Sequence, residues 1–232
     1  MRILKILLYI LLSVGALLFI GYRVIDYKFI QYQEREYEAL AHTTFTESPR
    51  VFPDSLRMQE STFWTLIATS KAAHPQDLAQ QAAYLQDTLA QLSDQDILGF
   101  ECRLREQLIR EWNYNIKSLY QITNGSYVST DDFIYFRAYL ISCGADVVQA
   151  ALQNPEQLTI PLDRLDASGE EMLQVAKNAY AQKHHTTGGP DPHSPGEQPL
   201  AVDYDLGNYR MTGTYIAPAD FDRYYPHLTA RY

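Results

Sequence analysis

Residues 97–122, ILGFECRLREQLIREWNYNIKSLYQI, decide the fold class. Ile97, Phe100, Leu104, Leu108, Trp112, Ile116, Leu119 and Ile122 recur every three or four positions. That spacing stacks side chains on one face of an α-helix. Asn113 and Asn115 interrupt the run. Short amide side chains compete for backbone hydrogen bonds, so the stretch is expected as two helices.

The same period extends in both directions. Upstream, Leu78, Ala82, Leu85, Leu89 and Leu92 form a narrow apolar seam, and Ser93 with Asp96 resembles a capping box with Asp in place of Glu. Before that, Ser61 is a candidate N-cap for a helix carrying Phe63, Trp64, Ile67 and Ala68, which Pro75 ends. Downstream, Asn124-Gly125 supplies a stop. Ser129 or Thr130 then caps a helix bearing Phe133, Phe136 and Leu140, which closes at Gly144. A shorter helix holds Val147, Val148, Ala151 and Leu152 before Pro155, and Ser168-Gly-Glu-Glu171 opens another with Met172, Val175, Ala176, Ala179 and Tyr180. Residues 201–216 could turn at Leu206-Gly207-Asn208, and Pro218 to Tyr225 reads as a final helical turn or two. The expected fold is all-α, a compact multi-helix domain with at most one minor β-hairpin near the C-terminus.

The first residues are of another kind. Ile6 to Tyr22 is an uncharged run of 17 residues, with Ile3 and Leu4 ahead of it across Lys5. Together they reach the ~20 apolar residues that cross ~30 Å of hydrocarbon. No Ala-x-Ala cleavage site follows, as a signal peptide would require. The expectation is one transmembrane anchor over residues 1–25, a stalk and linker over 26–60, and a helical domain over 61–232. Within that domain the Gly- and Pro-rich residues 184–199 form a flexible loop. The bases Arg2 and Lys5 on one flank nearly balance Arg23, Lys28 and Arg35 on the other. The expected location is the bacterial inner membrane, single-pass, with a lean towards an exported domain.

Composition narrows the function classes. A hydrophobic fraction of 46% with 20% charged residues is globular. Net charge is −9, and residues 1–28 hold four bases and one acid, so the remainder carries −12. Such a surface repels phosphate backbones, and nucleic acid is not an expected partner. Cys102 and Cys143 fit no metal motif; they are small buried side chains or, in an oxidising compartment, one bridge. The 18 tyrosines suit a core and also an interface, where Tyr gives large contact area at low entropy cost.

Several stretches together resemble the bacterial domain-of-unknown-function family 4240. They are Phe63-Trp64-Thr65-Leu66-Ile67, the central block Asp131-Asp132-Phe133-Ile134-Tyr135-Phe136-Arg137-Ala138-Tyr139-Leu140-Ile141-Ser142 followed by Gly144, and Ala151-Leu152 with Pro155 and Leu158. Ala179-Tyr180 and the ending Tyr225-Pro-His-Leu228-Thr-Ala-Arg-Tyr232 complete the order. The family also occurs fused to WGR domains in proteins labelled as molybdenum-metabolism regulators. The resemblance implies a compact helical domain and no reaction. Its Trp-Asp pair reads here as Trp112-Asn113.

Two groups of residues carry candidate chemistry. Asp131 and Asp132, with Arg137, Trp112 and Asn115, could line a ligand-binding pocket in which paired acids serve proton transfer. Alternatively, both acids favour the positive end of a helix dipole. His184, His185 and His193, with Asp191, have metal-ligating chemistry but match no known spacing, and a solvated loop is the competing reading. No residue is assigned a catalytic role, since phosphate loops, Gly-x-Ser-x-Gly and His-Glu-x-x-His are all absent from the sequence, and no cofactor is called for. The favoured function is a membrane-anchored interaction or regulatory module with a membrane or envelope protein as partner. The alternative is an enzyme or small-ligand binder using a polar cleft at Asp131, Asp132 and Arg137.

Overall fold

A computed structural model describes residues 2–45, 52–125, 128–158, 169–186, 193–195 and 210–232. Ten α-helices lie in these residues: α1 Arg2–His42, α2 Glu60–Ala73, α3 Leu78–Ala90, α4 Asp94–Arg110, α5 Tyr114–Asn124, α6 Thr130–Cys143, α7 Ala145–Gln153, α8 Gly169–Lys183, α9 Phe221–Tyr224 and α10 Pro226–Thr229. No strand occurs among the described residues. The all-helical expectation holds.

Local signals set most of the boundaries. Ser93 accepts from the Asp96 amide and opens α4, while Asn113 accepts from the Asn115 amide at 2.7 Å and opens α5. The run 97–122 is thus two helices, as its asparagines suggest. Ser129, rather than Thr130, caps α6. Gly125 and Gly144, at φ +103° and +110°, end α5 and α6 in backbone that L side chains rarely adopt. The first cap differs: α2 starts at Glu60 after Gln59, ahead of Ser61. The Ser168 capping box lies outside the described residues.

Helix α8 packs against α3, α4 and α6, and α2 bridges α3 and α6. The core between them is apolar and aromatic. Phe63 meets Phe100 at 4.9 Å between centroids, and Tyr120 meets Phe136 edge-on at 5.2 Å. Ile67, Leu85, Leu104, Leu108 and Val175 fill the space between, all sealed from solvent. Burying each such side chain stabilises the fold by roughly 1.5–3 kcal/mol.

Four regions correct or refine the sequence reading. No helix among the described residues is long and apolar enough to cross a membrane, so the transmembrane span is not established. The physical reason is length: Lys5 precedes the uncharged run Ile6 to Tyr22, and Arg23, Asp26 and Lys28 follow it. Those 17 residues rise about 25 Å, short of the ~30 Å of hydrocarbon. The side chains of residues 2–8 and of Ile10 lie outside the description.

Residues 26–42 continue the same helix, and the part beyond Gln33 lies on the domain instead of standing free as a stalk. Tyr37 and Ala41 pack against the main core. In the expected linker, Phe52 and Met58 are buried, and Gly99 approaches so closely that a Cβ would meet the Met58 amide nitrogen at 3.0 Å.

The hairpin is replaced, in its described part, by a single parallel bridge between Asn113 and Thr212. The segment runs beside the α4–α5 corner because Met211 is buried and Gly213, at φ +82°, sits against the Asn113 amide. Residues 201–209, with the Leu206-Gly207-Asn208 turn, lie outside the description. In the loop 184–199, Ser194 and Pro195 are buried, which departs from a fully flexible excursion.

Candidate functional site

Helix α6 carries the central acidic-aromatic block, and it divides those residues between solvent and core. Asp131 and Asp132 sit exposed in its first turn. The Asp132 amide donates to Ser129 Oγ at 3.0 Å, and both carboxylates lie where the helix dipole favours negative charge. One and two turns further on, the face turns inward. Arg137 is fully buried, its Nη1 donating to the Leu108 carbonyl at 2.8 Å and its guanidinium lying 5.0 Å from the Phe133 ring and 5.4 Å from the Trp112 ring. Trp112 and Arg137 are therefore together, two of the five residues that the sequence reading grouped in one pocket. Asp131 and Asp132 are not in that chamber. Asn115 faces elsewhere, donating to the Leu152 carbonyl at 2.8 Å and accepting from Tyr225 Oη at 3.3 Å.

The sequence reading missed Glu111, which neighbours Trp112 at the end of α4. Its side chain is fully buried and neither carboxylate oxygen has a hydrogen-bond partner. Burial pushes its pKa well above the usual carboxylate range, against the smaller opposite pull of Arg137 and Arg110. An acid whose protonated form burial favours thus lies inside the domain, within electrostatic reach of Arg137. The sequence gives little warning, because Glu111 follows Arg110 and looks like part of a solvated charge pattern.

A second buried polar cluster joins α1 to α5. Lys117 is 1% exposed, and its Nζ lies 3.1 and 3.2 Å from the two carboxylate oxygens of Glu34. Gln121 Nε2 donates to Glu34 Oε1 at 2.5 Å, and Tyr215 Oη donates to Oε2 at 3.0 Å. The ammonium also stands over the Tyr37 and Tyr215 rings, at 4.4 and 5.4 Å. Desolvation lowers the Lys117 pKa and the Glu34 charge opposes it; burial, then Glu34, raises that of the Tyr215 phenol. One residue earlier, Gln33 brackets Val128, accepting from its amide at 2.9 Å and donating to its carbonyl. Spacing offered a faint signal: Lys117 and Gln121 share the inward face of α5 with Ile116 and Tyr120.

The histidines do not assemble. His184 Nε2 lies 3.1 Å from Asp94 Oδ1, its ring stacks on Tyr180 at 4.3 Å, and Lys183 joins the same carboxylate at 2.9 Å. Asp191 lies outside the description, and among the described residues no group of three or more His, Cys, Asp or Glu is placed to hold a metal. Cys102 is buried, Cys143 is half-buried, and no disulfide joins them.

The fold thus defines a helical domain that buries a few charged side chains, at Glu111 and Arg137, at Lys117 and Glu34, and in the Glu101–Arg105 pair, with no assembled catalytic constellation among the described residues. The family comparison agrees with the central block: residues 58–182, just over half of the chain, match the family described as Protein of unknown function (DUF4240). The chain belongs to that family. The match concerns this domain and carries nothing on WGR domains. No curated protein and no solved structure matches the chain.

Proposed function

We propose that the chain is a membrane-attached interaction or regulatory module, with the N-terminal half of α1 as its attachment and the helical domain as its working part. The observation that carries this reading is the exposure of α1. Apart from Tyr84 and Tyr224, every large hydrophobic side chain exposed among the described residues lies between Tyr9 and Tyr32 of this helix. Leu11 is 72% and Phe19 66% exposed, and apolar residues occupy every face. A helix apolar all round is a helix for a non-aqueous surrounding. Tyr22, Tyr27 and Tyr32, interleaved with Arg23 and Lys28, have the composition of a headgroup belt. Attachment raises the effective concentration of a weak binder near its partner, here a membrane or envelope protein.

In this reading the chain sits in the bacterial inner membrane with its domain exported. Deleting residues 1–28 leaves the Gln33 and Glu34 contacts in place. The expected result is a folded protein that moves from the membrane fraction to the soluble fraction. A full-length protein found wholly in the soluble fraction would sink the attachment. A C-terminal alkaline phosphatase fusion reads the side, and activity is expected.

The enzyme or small-ligand reading gains support only from Glu111, a buried acid whose pKa desolvation raises, near Arg137. Its proposed cleft is weakened by the distribution of its members, since Asp131 and Asp132 face solvent while Arg137 is sealed.

A further inference from the structure

Three donors converge on one carboxylate where α1 meets the domain. Lys117, Gln121 and Tyr215 all address Glu34, and Gln33 pairs with both backbone groups of Val128. The rest of the interface is thin. No side chain of α1 belongs to the fully buried apolar core among the described residues, and only Tyr37 and Ala41 touch it, partly buried. Helices fixed in a domain are held mainly by apolar burial, which α2 to α8 have in quantity. This one is held by directed polar contacts. Lys117 meanwhile would lose its counter-charge if α1 left, so the groove selects for a carboxylate at that point.

We propose that Lys117, Gln121 and Tyr215 form a carboxylate-reading socket with Glu34 as its resident ligand, making the polar half of α1 a releasable latch. The groove beneath the latch takes a helix of the same chemistry, and the segment that fits it is residues 26–42, including those of a second copy. Residues 43–51 lie between α1 and the buried Phe52, and nine residues reach at most about 30 Å, enough for the latch to lift from its groove. Lys117, Gln121 and Val128 lie within the family-matched region, whereas Glu34 and Tyr215 lie outside it. The socket does not depend on where the apolar half of α1 resides, so it stands or falls separately from the membrane reading.

The test uses full-length protein in detergent and a fluorescent synthetic peptide of residues 26–42. In the wild-type chain the resident helix blocks the peptide. Glu34→Gln in the chain keeps the shape and removes the charge, and is expected to bind the wild-type peptide about tenfold or more tightly than the wild-type chain does. A peptide carrying Glu34→Gln is expected to lose that gain, as is a chain combining Glu34→Gln with Lys117→Met. Hydrogen exchange at Val128 and along α5 should quicken in the Glu34→Gln chain, while α3 and α8 stay protected. Tyr215→Phe removes one donor from the resident and the incoming carboxylate alike, so exchange should quicken by less than in the Glu34→Gln chain, with no gain in peptide binding. Equal binding by both peptides would overturn the socket. No binding by the Glu34→Gln chain would overturn the groove, and its global unfolding would make α1 a fixed part of the fold and overturn the latch.

Discussion

Gly169 lies directly on the backbone of Tyr135. A Cβ placed on Gly169 would stand 1.8 Å from the Tyr135 carbonyl oxygen and 2.5 Å from its carbonyl carbon. The first residue of α8 therefore passes within backbone contact of the second turn of α6, and only the absence of a side chain allows it. This close approach fixes how the two helices pack.

Gly169→Ala is accordingly expected to be severe. Neither partner is the far end of a flexible side chain, so α8 must shift bodily and lose burial of Met172 and Val175. A loss of about 3 kcal/mol or more is expected by urea denaturation, at the upper end of overpacking effects. A change below about 1 kcal/mol would mean that the two helices are farther apart than the structure places them.

Glu111 sets a pH dependence whose sign follows from its burial. Its pKa in the folded chain is raised well above the ordinary 4.5. Below about pH 4.5 both folded and unfolded chains hold the proton, and this group's stabilising effect is complete. Above that, the unfolded chain releases the proton while the folded chain keeps it, so stability falls as pH rises, by up to about 1.4 kcal/mol per unit, until the folded acid also ionises. Glu111→Gln should remove this slope. The difference in urea midpoint between pH 5 and pH 8 is expected to shrink in the variant; an unchanged difference would show Glu111 to be solvated.

Ser129 and Asp132 separate capping from chemistry at the start of α6. Ser129→Ala removes the acceptor for the Asp132 amide and should cost about 1 kcal/mol. Asp132→Asn should cost less than about 1 kcal/mol, the dipole contribution of an exposed acid. Loss of a biological readout with Asp132→Asn, at unchanged thermal stability, would restore these acids as functional candidates.

What could be read from the sequence is what lies within about one helical turn. The period of three and four in 97–122, the breaking role of Asn113, the Ser93 and Ser129 caps and the glycine stops at 125 and 144 all concern neighbours in the chain. Their physics is local and survives without tertiary information.

Burial of charge was decided only by the tertiary structure. Glu34 and Lys117 are 83 residues apart, and each looks like part of a solvated helix face. Glu111 and Arg137 look equally ordinary beside the exposed Arg110 and Asp132. A charged side chain signals its burial through partners and desolvation, and both depend on which helices meet. The sequence determined that this protein is a set of capped amphipathic helices with one apolar extension. The assembled fold decided that the extension is latched to the domain through Glu34, and that an unpartnered acid lies sealed at its centre, because only packing removes water from a charge.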